Sequence, residues 1–190
     1  AVAAMNIVAT IDQLAFVVFL GLGTATSIMV GNLIGRGENE KAFTYAGRSI
    51  FMQMSGAMLM GVLVYLFGPY IFNLYKVSPS VVENARAIIT VMSMGMWIRA
   101  SNHVIIIGIL RAGGDTRFSL ILDGVVIWCI GVPAAALGAF AFHLPIYYVY
   151  ALTLTEEACK LGIGLWRYLP RRGVNDITPR VEPISPLEIK

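Results

Sequence analysis

Glu156, Glu157 and Lys160 lie within five residues of one another in one apolar stretch, where charged side chains are costly. Arg99 sits in another such stretch, with Asn102 and His103 three and four residues further on. Asp12 and Asp123 are single carboxylates in two more apolar runs. A charged side chain at the centre of a bilayer costs about 2.5–3.5 kcal/mol or more, so each such group must face protein, water or an opposite charge. Carboxylates held with cations at depth can bind and release a proton or a monovalent cation as their access to water changes. The same set can equally be a polar lock between helices. Both readings are open on the residues alone.

Depth decides which of these groups can meet. Arg99 lies 12 residues before Arg111 and 13 after Arg86, so about 18–20 Å of helix separates it from either edge. Glu156 and Glu157 lie 11 and 10 residues before Arg167, about 15–17 Å from the same inner edge. An Arg99 contact with Glu156 or Glu157 is therefore predicted. Lys160 follows Glu156 by one turn and can pair with it. Lys160 and Asp123 share a depth of about 8–10 Å and form a second candidate pair. If Arg99 cannot reach both glutamates, acids outnumber bases and one of them titrates. Asn102 and His103 continue the face of Arg99, and His103 is either a packed side chain or a proton relay.

The first apolar run carries a second pattern. On a helical wheel Asn6, Thr10, Gln13, Thr24, Gly31 and Gly35 fall within about 40° of one line. Small and polar residues in a row make helix–helix contacts, Gly31–Gly35 having the G-x-x-x-G spacing. They can also line a cavity and offer hydrogen bonds to a substrate. Asp12 lies about 100° off that line. It precedes Asn32 by 20 residues, about 30 Å, which predicts a place near the outer interface. There it is either a plain interfacial carboxylate or a cation contact in an outer vestibule.

The elements that must position these groups read as membrane helices. Of 190 residues 57% are hydrophobic and 13% charged, with mean hydropathy +0.75; a soluble domain has about 25% charged residues. Five spans are predicted, at about 3–34, 49–72, 82–110, 118–142 and 146–168, each near the 20 apolar residues a bilayer needs. The segment 35–48 is read as a polar loop, and 173–190 as a disordered cytoplasmic tail. Gly113 and Gly114 can end one helix in the turn Gly108–Phe118, and Asp115 or Thr116 can cap the next. Arg111 and Arg117 flank the turn and are expected to stay in water. Pro133 kinks the fourth span, as a hinge or as a packing feature. The methionines at 52, 54, 58, 60, 92, 94 and 96 are core filler, lipid-facing, or lining of a tolerant pocket. Cys129 and Cys159 are expected as buried free thiols.

With that turn in the cytoplasm, Arg36, Lys41, Arg48, Arg111, Arg117, Arg167, Arg171, Arg172, Arg180 and Lys190 fall inside. Lys76 and Arg86 fall outside, a bias that sets the C-terminus in the cytoplasm. Tyr65, Tyr70, Tyr75, Tyr147, Tyr148 and Tyr150 make an outer aromatic belt, with Trp166 and Tyr168 at the inner edge. An odd number of spans starting outside, with no initiator Met, predicts further helices upstream. Nothing in the charge pattern suggests nucleic acid. A membrane enzyme finds no nucleophile–base pair and no metal-spaced set, His103 and His143 being 40 residues apart. A non-transporting membrane scaffold is the remaining alternative to a transporter.

Three stretches carry a resemblance. LGTATSIMVGNLIGRGENEKA (Leu22–Ala42), GILRAGGDTRF (Gly108–Phe118) and LTEEACKLGIGLWRY (Leu154–Tyr168) resemble the multidrug and toxic compound extrusion (MATE) family. The likeness covers nearly all of residues 3–172. It implies an all-α integral membrane protein, with these five helices forming most of one six-helix lobe of a twelve-helix transporter. Residues 1–172 would be part of the C-terminal lobe. The resemblance implies export of cationic or amphipathic compounds in exchange for H⁺ or Na⁺, without a bound cofactor. The partners implied are the lipid bilayer, the substrate and the N-terminal lobe, and the place is the bacterial inner membrane. A lipid-linked sugar flippase of the same fold is the alternative within transport. The acid that family members carry on the tenth helix corresponds to Ala100 here, which moves coupling to Asp12 or to the other lobe. The candidate coupling or polar-network residues are thus Arg99, Glu156, Glu157, Asp123, Lys160, His103 and Asp12. Asn6, Thr10, Gln13, Thr24 and Asn102 are the candidate cavity lining.

Overall fold

The first helix, α1 (Val2–Gly35), is 34 residues long, about 50 Å and well over the hydrocarbon thickness. A tight turn at Arg36–Glu38, with Gly37 at φ +76°, reverses the chain into α2 (Asn39–Ile71). This computed structural model describes residues 2–72 and 79–170. Tyr75, Lys76 and the predicted tail 173–190 lie outside those residues. Pro79 opens α3 (Pro79–His103), where its missing N–H leaves no hydrogen bond unmade. The helix then widens into a π-helical stretch, π1 (Val104–Arg111).

After the turn at 112–115 the fourth span is built in pieces. They are α4 (Thr116–Val126), π2 (Ile127–Gly131), α5 (Val132–Ala136) and π3 (Leu137–Ala141). Pro133 is the second residue of α5, two after π2 ends, a place in the first turn of a helix where its missing N–H is tolerated. The last helix is α6 (Ile146–Tyr168). No strand occurs among the described residues.

Close approaches fix the directions. Phe16 and Gly23 of α1 lie against Arg99 and His103, and Gly23 and Thr26 against Gly108, so α1 and α3 run parallel. Leu154 meets Gly95, Glu157 meets Asn102 and Gly164 meets Ile105, so α6 runs parallel to α3 as well. Gly61 and Gly68 of α2 face Ser93 and Ile89, an antiparallel pair. Glu156 and Leu152 face Gly131 and Gly138, so the fourth span is antiparallel to α6. The core is dry at both ends. Ile88, Ile89, Met92 and Met96 fill one half with Val8, Ile11 and Phe19. Val30, Ile34, Val104, Ile105, Ile109 and Leu110 fill the other. Tyr168 stacks on Phe43 at 4.7 Å and donates to its carbonyl at 3.0 Å, fastening the end of α6 to the start of α2.

Four helices are long and apolar enough to cross a membrane among the described residues: Ala4–Gly35, Asn39–Ile71, Val81–Arg111 and Thr116–Ala141. The predicted fifth, α6, has 23 residues, about 35 Å. Its length suffices, but Glu156, Glu157 and Lys160 in its middle keep it out of that set. The molecule is thus an all-α membrane fragment whose outer surface carries Leu14, Val17, Phe51, Leu59, Phe67, Trp128 and Phe140.

Several expectations are corrected here. The segment read as a loop at 35–48 is helical from Asn39 onward. Its polar residues Glu40, Lys41, Thr44, Tyr45 and Arg48 face outward, while Ala42, Ala46 and Ser49 are buried at helical spacing. It is an amphipathic extension of α2, which a count of polar residues mistakes for a loop. Beside its start, Lys41 bonds Glu38 and holds that carboxyl below the usual carboxylate range. Of the two turn glycines only Gly114 takes a positive φ, +84°. Asp115 occupies the cap position of α4 but its carboxylate makes no cap bond; it accepts from Arg167 Nε at 2.8 Å instead. Cys129 and Cys159 are free, but both are exposed and not buried. Met92 and Met96 are core, whereas Met52, Met58 and Met94 face outward.

Candidate functional site

The charged residues converge between α1, α3, the fourth span and α6. Arg99 Nη1 donates to both oxygens of Asp12, at 2.7 and 2.9 Å. Its guanidinium lies 4.9 Å from the centre of the Phe16 ring, one turn along α1 from Asp12. The predicted Arg99 contact with Glu156 or Glu157 is therefore not made. The sequence sets Arg99 and Asp12 at different depths, whereas this bond puts them at one level. Thr26, nine residues before the end of α1, is level with Gly108. The C-terminal end of α1 thus projects past the basic turn, so counting back from Asn32 overstates how far Asp12 lies from the level of Arg99. Side chains on a helix lean toward its N-terminus. From α3 that carries the long Arg99 chain one turn along α1, to Asp12.

The other predicted pairs form. Lys160 Nζ is 2.5 Å from Glu156 and 3.7 Å from Asp123, and only 8% of the Lys160 side chain is exposed. Asp123 also takes Arg111 at 3.1 Å, and Arg111 stays exposed while making that bond, as expected of it. Glu156 packs against Gly131 in π2, so closely that a Cβ there would overlap its carboxylate. Asn102 Nδ2 donates to the Glu157 carbonyl and to Glu157 Oε2, both at 2.7 Å. Asn102 Oδ1 is buried without a partner. His103 is wedged into the space that Gly23 leaves open, with Nε2 buried and unpartnered.

Two open clefts flank this set. The first, about 190 Å³, is bounded by Phe16, Asn102, His103, Asp123 and Lys160 together with Arg99 and Glu157. The second, about 250 Å³, is bounded by Asp12, Tyr150, Thr153 and Glu156, again with Arg99 and Glu157. Arg99 and Glu157 are the residues the two clefts share. Four carboxylates (Asp12, Asp123, Glu156 and Glu157) meet three fixed cations (Arg99, Arg111 and Lys160). Glu157 has no ion-pair partner among the described residues; its bond is to a neutral amide.

Sequence reasoning missed Phe16 and Tyr150. Phe16 follows Asp12 by four residues, and Tyr150 precedes Glu157 by seven, so each shares a helix face with a residue already singled out. Tyr150 was read as part of the outer belt, yet it turns into the second cleft. Of the predicted cavity lining, Asn102 borders the first cleft. Asn6, Thr10, Gln13 and Thr24 border neither and are exposed on the far side of α1. A Cβ at Gly31 or Gly35 would touch nothing among the described residues.

Comparison with known proteins agrees with this architecture. The MatE family matches residues 1–137. A protein described as "Probable multidrug resistance protein NorM" from Brucella suis is 32% identical over 172 residues, 87% of this chain and 33% of that protein. "Multidrug resistance protein MdtK" from Yersinia pseudotuberculosis is 30% identical over 76% of this chain and 32% of its own length. "Uncharacterized transporter YisQ" from Bacillus subtilis is 30% identical over 68% of the chain and 28% of its own. The chain spans about a third of the length of these curated relatives. By its helical membrane body and its family match, the chain belongs to the MatE (multidrug and toxic compound extrusion) family of transporters.

Proposed function

We propose that the chain is part of the C-terminal lobe of a multidrug efflux antiporter, which exports cationic or amphipathic compounds in exchange for H⁺ or Na⁺. The observation that carries this reading is the charge imbalance inside the bundle. Glu157 is a carboxylate beside two clefts with no cation of its own among the described residues. An acid so placed gains most from an incoming proton or monovalent cation, because the ionised form is costly there. Asp12, Arg99, Glu156, Lys160 and Asp123 hold the surrounding charges in place, and Asn102 orients Glu157. The exposed face of α1 with Asn6, Thr10, Gln13 and Thr24 lines the substrate path where this lobe meets the other. The protein sits in the bacterial inner membrane with its C-terminus in the cytoplasm.

The test uses the whole transporter in everted vesicles, with a membrane-impermeant cationic dye and an imposed H⁺ or Na⁺ gradient. Glu157→Gln is expected to abolish gradient-driven dye uptake, at least tenfold, while dye binding persists. Full uptake in both Glu157→Gln and Glu156→Gln would remove these acids from coupling. Absence of dye uptake in the unaltered protein, with turnover of a lipid-linked sugar, would assign it to the flippase class instead.

A further inference from the structure

Asp12, Arg99 and Glu157 form a three-charge unit with one cation for two acids. The neighbouring charges are already matched. Lys160 and Arg111 answer Glu156 and Asp123. The other polar groups facing the unit are Asn102 and His103 from α3, and Tyr150 and Thr153 from α6. None of these supplies a second cation as a neutral side chain. The unit therefore carries one negative charge too many for a low-dielectric site, and one proton makes it neutral.

Arg99 is built to move. One of its guanidinium nitrogens makes both bonds to Asp12, so the grip is not the two-nitrogen fork that holds a carboxylate most firmly. The guanidinium rests on the face of Phe16, a contact that tolerates sliding. It borders open space on both sides, and Glu157 borders the same two clefts. The π1 stretch begins at Val104, one residue after His103 and five beyond Arg99, and π-helical turns inside α-helices are frequent at functional sites.

We infer that Arg99 is a tethered internal counter-ion that exchanges Asp12 for Glu157, so that the two acids take the single exchangeable proton in turn. In this exchange Glu157, which faces both clefts, holds the proton while Arg99 is on Asp12, the arrangement of the guanidinium seen here. When Glu157 gives up that proton, Arg99 swings to the new carboxylate and Asp12 accepts a proton from water in the second cleft. Asp12 does not border the first cleft. The swing thus shuts the exchangeable site off from that side. Charge balances throughout: one proton leaves, one enters, and the guanidinium stays ionised. The inference rests on the coupling role proposed above for this cleft, but it makes a claim that can fail by itself.

Infrared spectra of the whole transporter in lipid, at neutral pH and without substrate or gradient, read the carboxylic C=O stretch of protonated acids. The unaltered protein is expected to show a band that Glu157→Gln removes. Asp12→Asn is expected to remove it as well, because Arg99 then settles on Glu157. Arg99→Gln is expected to double it, since both acids must then be neutral. Glu157→Asp keeps the charge count and is expected to keep the band at a shifted frequency, which separates loss of a proton site from loss of the fold. The inference is overturned if the band survives Asp12→Asn, if Glu157→Gln leaves it unchanged, or if Arg99→Gln gives the amplitude of the unaltered protein. A failure of dye transport with these spectra intact would refute the efflux assignment and leave the exchange standing.

Discussion

Arg99 meets its partner because it is long, and the cost of losing that partner is set by burial. The two side chains are 25% and 17% exposed. Removing one member of a buried ion pair leaves the other without its partner, either charged or obliged to take up a proton, at about 3–5 kcal/mol, whereas replacing both by apolar groups of similar volume is close to neutral. Arg99→Met alone is therefore expected to lower the folded fraction in detergent by about 3 kcal/mol in a reversible unfolding assay. Adding Asp12→Leu is expected to return most of it. If the double variant is as unstable as the single one, the pair is not what holds α1 to α3 at this point. The sequence located both charges but not their bond. Partner choice depended on the lean of a side chain and on the overhang of α1, neither of which hydropathy encodes.

The spacing between helices is set by glycines. A Cβ at Gly61 would come within 2.6 Å of the Ser93 carbonyl oxygen, and one at Gly23 within 2.5 Å of the His103 ring. Small residues let helix backbones approach in membranes, where packing replaces the hydrophobic driving force. Overpacking costs about 1–3 kcal/mol when the neighbour can shift. Gly61→Ala opposes backbone, which cannot swing away, and is expected to lose at least 2 kcal/mol of that range or more. Gly23→Ala opposes a side chain, so pairing it with His103→Ala is expected to restore stability in a thermal unfolding assay. If Gly61→Ala is as stable as the parent, the α2–α3 contact is looser than these distances imply. Helix existence and order were legible from apolar runs and turn residues. The amphipathic start of α2 was not, because its buried Ala42, Ala46 and Ser49 are small and carry little hydropathy. The π-helical stretches had no sequence signature beyond Pro133 and the glycines near it.

As a whole the body is dry at both ends and charged in the middle, with its cleft opening between α1, α3, the fourth span and α6. Cys129 and Cys159 lie on its outer surface within apolar helices. In native membranes a charged maleimide is expected to label neither, because the thiolate that reacts needs water, and both are expected to react once the protein is denatured in detergent. Labelling of Cys159 by the charged reagent would mean that its side of α6 is wetted. The spans and the polar network were readable because charges in apolar runs are conspicuous. The two-cleft arrangement was not, since it needs four helices brought to one depth.

The overhanging hairpin of α1 and α2 has one further outcome. Arg36 and Gly37 are exposed at its tip, and the chain on either side is clamped by Val30, Ile34, Ala42 and Ala46. Brief trypsin treatment from the side where the tip emerges is expected to cut after Arg36 and leave two pieces that still migrate as one until denatured. A protease that succeeds only on everted membranes would report which way the tip points, with no tag or label added.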